Sequence, residues 1–218
     1  LQEIGFNAPE VFCVGAVDAS VVYINNEPIQ IAHRAAKGEC GAVSAVNVLR
    51  VASAADMVSN GLVTNEATIA NQPELVEAMV SAFDRAVRHV INNPASAYLA
   101  SAEYVENLAL PDELRAFLEA AAAETEAFLA QNPEVDRETM SQRRADLLES
   151  LNASFDPDLL VQFEVMMATA ELWDADNIGV SELPAWEATQ DVLIQMEFIP
   201  GPIDLEAAFT NAFLPAQG

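Results

Sequence analysis

Three short runs rich in Val and Ile, at residues 11–17, 21–24 and 43–51, crowd the front of this chain, and almost everything beyond Asn71 is written at helical spacing. A short β-branched run bounded by glycine is how a strand buried on both faces reads. Gly15, Gly38 and Gly41 supply that punctuation. Between the second and third runs, residues 27–36 suit a helix, with Asn25 or Asn26 placed to cap it and Pro28 in its first turn. The order strand, helix, strand, with a further extended piece at 62–69, predicts an α/β protein.

The remainder reads as a series of helices. Asn71-Gln72-Pro73-Glu74 starts one of them, and Val76, Met79, Val80, Phe83, Val87 and Val90 then recur every three or four residues as a single apolar stripe. Asn92-Asn93-Pro94 closes that helix and opens the next. Further helices are predicted over 112–130, 137–151, 157–173 and 184–198. Pro200-Gly201-Pro202 interrupts the pattern, and Leu205, Phe209 and Phe213 form a last short stripe. The tail from Pro215 onward reads as a frayed end. So few strands ahead of so many helices leave a sheet short of partners. The expectation is therefore a portion of a larger protein.

Charge narrows the function classes. The chain carries 34 acidic residues against 9 basic ones, for a net charge of −25, and Lys37 is its only lysine. Such a field repels phosphate backbones and anionic lipid, so neither a nucleic acid nor a membrane surface is the expected partner. No apolar run approaches the ~18 residues that a membrane span needs. The chain opens on Leu1 with no basic stretch leading into an apolar one, so a signal peptide is expected to have been removed or to lie upstream.

The two cysteines, Cys13 and Cys40, are too few for a disulfide framework. They either pair in an oxidising compartment or sit as two separate buried thiols, and separate thiols are the simpler expectation.

Signs of catalysis or metal binding are sparse. His33 and His89 have no cysteine or second histidine at ligand spacing, and His89 falls on a helix where solvent exposure is expected. There is no nucleophile elbow, phosphate-binding loop or dinucleotide fingerprint. Close carboxylate pairs such as Glu124/Glu126 carry no information among so many acids. No catalytic residue, cofactor or metal is expected.

The informative stretch is residues 17–28, where a predicted strand ends and a helix begins. In an open α/β sheet, ligands settle outside the carboxyl ends of strands. Here Tyr23 can stack on a flat ring, Asn25 or Asn26 offers both donor and acceptor, and Glu27 can accept bonds from an amino-substituted heterocycle. The competing reading is local: Asn26 caps the helix and Glu27 sits at the positive end of its dipole.

Three segments, GAVDASVVYINNEP from Gly15, SNGLVTNEATIANQPELVEAMVSAFDRAV from Ser59 and WEATQDVLIQMEFIPGPIDLEAAFTNAFLP from Trp186, carry a resemblance. In that order they resemble periplasmic binding proteins of the ABC-importer group that handles thiamine-pyrimidine precursors, riboflavin, and nitrate, sulfonate or taurine. The resemblance implies an α/β, type II periplasmic-binding-protein-like two-lobed fold, represented here by an incomplete C-terminal portion. Residues 1–50 would then be a remnant of the smaller lobe, and 51–218 part of the larger one. It implies a binding protein rather than an enzyme, working with ABC permease transmembrane subunits in a periplasmic or extracellular setting, free or lipid-anchored through an upstream N-terminus. In relatives that bind the pyrimidine, an aromatic and an acidic residue after the "vDa" strand contact the base. Tyr23 and Glu27 match those positions, with Asn25 and Asn26 beside them. A nitrate, sulfonate or taurine ligand would need donors for an anion, usually Arg, amides or a helix N-terminus, and the only arginines at the front of the chain are Arg34 and Arg50. The fold family also includes pyrimidine-forming enzymes that use a pyridoxal-phosphate lysine, a role for which Lys37 follows a helix in the wrong lobe.

Overall fold

The computed structural model describes residues 3–215 apart from Phe6 and Asn107, so the expected frayed tail lies, from Ala216 onward, outside the described residues. Ten α-helices form among the described residues: α1 Ala8–Cys13, α2 Glu27–Ala36, α3 Glu66–Asn71, α4 Pro73–Asn92, α5 Pro94–Ser101, α6 Asp112–Gln131, α7 Arg137–Ser154, α8 Pro157–Trp173, α9 Leu183–Gln195 and α10 Leu205–Ala208.

No strand forms among the described residues, which overturns the expected α/β, two-lobed type II sheet. A β-branched run becomes a strand only when a neighbour completes its ladder, and propensity alone does not supply one. Each run finds another use. The first is drawn into α1, whose Pro9 sits in the opening turn. The second runs irregularly into a turn before α2. In the third, Val43 and Val46 pack on a small buried cluster while Leu49 stays 93% exposed. The piece at 62–69 is split by Asn65, whose side chain accepts from the Thr68 N–H at 2.9 Å and starts α3.

The helices begin where short polar side chains meet orphan N–H groups. Asp136 Oδ1 accepts from Thr139 N at 2.7 Å to open α7, and Asp156 Oδ1 accepts from Asp158 N at 2.9 Å to open α8. Asn93 is nearly buried: it caps α5 through Ser96 N at 3.2 Å and donates from Nδ2 to the Ala122 carbonyl of α6 at 3.0 Å. Helix α2 stops at Gly38, whose φ of +75° suits a residue without Cβ. Its N–H reaches Ala35 O at 3.0 Å, and Glu39 N reaches Arg34 O at 2.9 Å, a paired closure of the last turn.

The chain divides into two compact units. One takes in the residues up to Val48 together with Val87–Asp174; the other takes in Leu49–Ala86 and the residues from Ala175 onward. In the first, Tyr98 from α5, Leu114 and Leu118 from α6, Leu151 from α7, and Leu160, Phe163 and Met167 from α8 form the main core. Tyr98 meets Phe163 edge-on, with ring centroids 5.2 Å apart. In the second, Trp186 of α9 stacks on Phe209 at 5.0 Å, yet no described residue is fully buried. The apolar stripe expected on α4 exists, but Met79 and Phe83 are about half exposed on it.

The most deeply buried charged residue of the first unit is a cation. Arg144 of α7 is 2% exposed. It donates from Nε to Glu171 at 2.7 Å, from Nη2 to Asp174 at 2.6 Å and from Nη1 to the Ile91 carbonyl at 3.1 Å. A buried guanidinium with its donors engaged is tolerated; half of such a network is not. Replacing Arg144 by Ala should therefore lower stability by about 3 kcal/mol. The Tyr98 hydroxyl is buried without a hydrogen-bond partner, and burial pushes its phenol above the ordinary pKa. Tyr98→Phe removes that desolvated group and should leave stability unchanged or raise it by up to about 1 kcal/mol. Chemical unfolding of the two variants should show opposite displacements of the midpoint.

Candidate functional site

The four candidate residues fall in one turn. Tyr23, Ile24, Asn25 and Asn26 form a β-turn closed by the Asn26 N–H on the Tyr23 carbonyl at 3.0 Å, and Glu27 begins α2 directly behind it. The Glu27 carboxylate folds back to accept from the Tyr23 N–H at 2.9 Å and is only 7% exposed. Tyr23 itself is 51% exposed. Asn26 takes the cap position of α2 without making a side-chain cap bond; its Oδ1 accepts instead from Gln30 Nε2 at 2.6 Å. Asn25 reaches across to α8, donating from Nδ2 to Thr169 Oγ1 at 2.6 Å.

That last contact is one of three along an antiparallel seam between α2 and α8. His33 Nε2 lies 2.7 Å from Glu164 Oε2, and Lys37 Nζ lies 2.7 Å from Asp158 Oδ2. From one end of α2 to the other, residues 25, 33 and 37 thus meet 169, 164 and 158. The sequence reasoning named neither Thr169 nor Glu164. The available signal was weak: Thr169 is a lone hydroxyl in the apolar stretch of α8 from Val165 to Ala170.

On the opposite side, a disulfide joins Cys13 at the end of α1 to Cys40 just beyond α2. The expectation of two separate thiols is thereby corrected. Both cysteines are buried in one cluster with Ile31, and Phe12, Ala35, Val43 and Val46 pack around it. The small apolar cluster brings the sulfurs together, a placement that residue spacing alone did not reveal.

Chemically, the turn presents an aromatic face, a carboxylate and two amides. The nearby cations are engaged elsewhere, since Arg34 Nη1 pairs with Glu10 at 3.1 Å and Lys37 with Asp158 and Glu39. Hydrogen bonds donated to Asp158 and then to Glu39 hold the Lys37 ammonium above its ordinary pKa, the opposite of what an amine nucleophile needs. His89 is an exposed residue near the end of α4, 3.1 Å from Ser96 Oγ. Among the described residues there is no cluster of three or more potential metal ligands, and no helix is long and apolar enough to cross a membrane.

Comparison with known proteins gives two matches. Residues 1–97 match the NMT1/THI5-like family. The riboflavin-binding protein RibY of Chloroflexus aurantiacus is 25% identical to the chain over 215 residues, covering 99% of this chain and 47% of that protein. The chain thus spans about half the length of that curated relative. No solved structure matches it. The family match covers less than half of this chain, so both findings are likenesses.

The disulfide closes a loop of 27 residues that contains the whole candidate turn. Replacing both cysteines by Ala should lower stability by about 3 kcal/mol on the chain-entropy account. It should also raise amide exchange across residues 14–39 ahead of the α5–α8 core, which exchange measurements on the oxidised and variant proteins will resolve.

Proposed function

We propose that this chain forms part of a solute-binding protein that captures a small nitrogen heterocycle, riboflavin-like or a thiamine-pyrimidine precursor, for an ABC importer. The carrying observation is the composition of the Tyr23–Glu27 turn. A half-exposed phenol stands beside a largely buried carboxylate and two amides, and the nearest cations already have acidic partners. A flat, hydrogen-bond-donating ring suits such a surface. An anion such as nitrate or a sulfonate would meet acceptors and a net charge of −25. The riboflavin-binding relative supports the same ligand class.

Delivery to permease transmembrane subunits and an extracellular or periplasmic location belong to the same proposal. The Cys13–Cys40 disulfide supports an oxidising compartment. A boundary near residue 50 is in keeping with the change of compact unit between Val48 and Leu49, although Val87–Asp174 rejoins the first unit.

The test is thermal unfolding of the complete protein with riboflavin, an aminopyrimidine thiamine precursor, taurine and nitrate. A ligand at a hundred times its dissociation constant should add about 2.7 kcal/mol of stability. The expected result is stabilisation by riboflavin or the pyrimidine only, with Tyr23→Ala and Glu27→Gln each weakening that ligand at least tenfold, about 1.4 kcal/mol. Stabilisation by taurine or nitrate alone would reject the heterocycle, and unchanged affinity in both variants would reject the turn.

A further inference from the structure

The side chain of Thr169 makes two hydrogen bonds, and their directions are fixed by chemistry. Its Oγ1 lies 2.7 Å from the Val165 carbonyl, one turn back in α8. A carbonyl only accepts, so the hydroxyl proton belongs to that bond. Toward Asn25, Thr169 Oγ1 can then act only as an acceptor, and the group facing it at 2.6 Å must be the amide Nδ2. The relay Asn25 to Thr169 to Val165 thus sets which way the Asn25 amide points. Its carbonyl Oδ1 is left uncommitted within the turn that also holds Tyr23 and Glu27.

We infer that Thr169 is a positioning residue for ligand selection: it holds Asn25 so that Oδ1, an acceptor, faces the ligand side of the turn. The inference rests on the proposed role of the turn as the ligand site. With the amide fixed, Asn25 joins the Glu27 carboxylate in presenting acceptors, and the turn selects rings that carry N–H or amino donors. Without the Thr169 hydroxyl, the Asn25 amide is free to turn over and offer its NH2 group, and donor-bearing and donor-free rings become alike to it. A buried or half-buried polar partner discriminates most strongly when the mismatched ligand leaves it unpaired. Discrimination, more than affinity, is therefore the property that Thr169 governs.

The experiment measures dissociation constants in the complete protein for two matched pairs of probes. One pair is riboflavin and 3-methylriboflavin, in which the ring N–H is blocked. The other is a 4-aminopyrimidine and its dimethylamino analogue. Wild-type protein should favour the donor-bearing member of the bound pair by about tenfold or more, the scale of one satisfied hydrogen bond. Thr169→Val, which keeps shape and removes the hydroxyl, should bring the two members to within about threefold of each other. Thr169→Ser should restore the preference, a rescue that a purely packing role would not give. Should Thr169→Val fail to fold, Asn25→Ala asks the same question from the other end of the relay and should abolish the preference. Retention of the full preference in the folded variant would overturn the inference, as would a wild-type protein that binds a ring but shows no preference, and both leave the proposed function intact. A wild-type protein that binds neither pair would overturn the inference together with the proposed function.

Discussion

Helix α8 is the element against which the first unit is assembled. Leu160, Phe163, Met167 and Ala170 lie at most 4% exposed along it, and between them they cover two turns and more of its inward side. Burying side chains of this size contributes roughly 1.5–3 kcal/mol each for Leu, Phe and Met. Their partners come from α5, α6 and α7, so removing α8 would strip three other helices of their common surface. Its remaining polar positions are what tie in the front of the chain. Asp158, Glu164 and Thr169 meet Lys37, His33 and Asn25 along α2. Exposed pairs such as Lys37–Asp158 add little stability. They set the register between the helices instead, and register decides where the turn before α2 lies.

Helix α2 is therefore restrained on two sides by different physics. A covalent link and a small apolar cluster around Ile31 hold one side, and the polar seam holds the other. A turn of five residues at the head of such a helix has little freedom left, and its internal bonds, Tyr23 N–H to Glu27 and Gln30 to Asn26, take up more of it. Preorganisation of this kind reduces the ordering cost when a small molecule binds. The second unit is built differently. Its contacts are mainly single hydrogen bonds, such as Val58 N–H to Thr189 at 2.9 Å and the reciprocal pair between Ser181 and Asn211 at 2.9 and 2.8 Å. With no described residue fully buried there, local opening should demand less free energy than in the α5–α8 core.

Helices were legible in the sequence because their signals are local. Residues 27–36 and 157–173 form helices over the expected ranges, since Pro28 and Pro157 mark the first turns and Gly38 and Asp174 lie beyond the ends. Strands were not, because a strand is a relation between two segments. Val21 and Val63 carry strong β propensity, yet both are at least 94% exposed and lie in segments without a ladder. Arg144 was equally hidden: a charged residue in a helix as polar as α7 looks solvated until Ile91, Glu171 and Asp174 are brought around it. The residues of the candidate turn are neighbours in sequence, but what holds the turn, Thr169 and the disulfide, depends on packing between distant segments.

The same distinction separates what the turn contains from what it can select. Two amides and a carboxylate could in principle offer donors and acceptors in any mixture, because an amide is ambivalent until one end is fixed. One oxygen of the Glu27 side chain already accepts from the Tyr23 N–H. Asn25 would leave the pattern undecided were its Nδ2 not engaged by a hydroxyl whose own proton is committed to a backbone carbonyl. A partly buried residue of another helix, one that need not touch a ligand, would in the proposed site convert an ambivalent side chain into a specific one. The acidic surface acts in the same direction at longer range: a net charge of −25 disfavours anions before contact, and in the proposed site the fixed acceptors would discriminate among neutral and cationic rings.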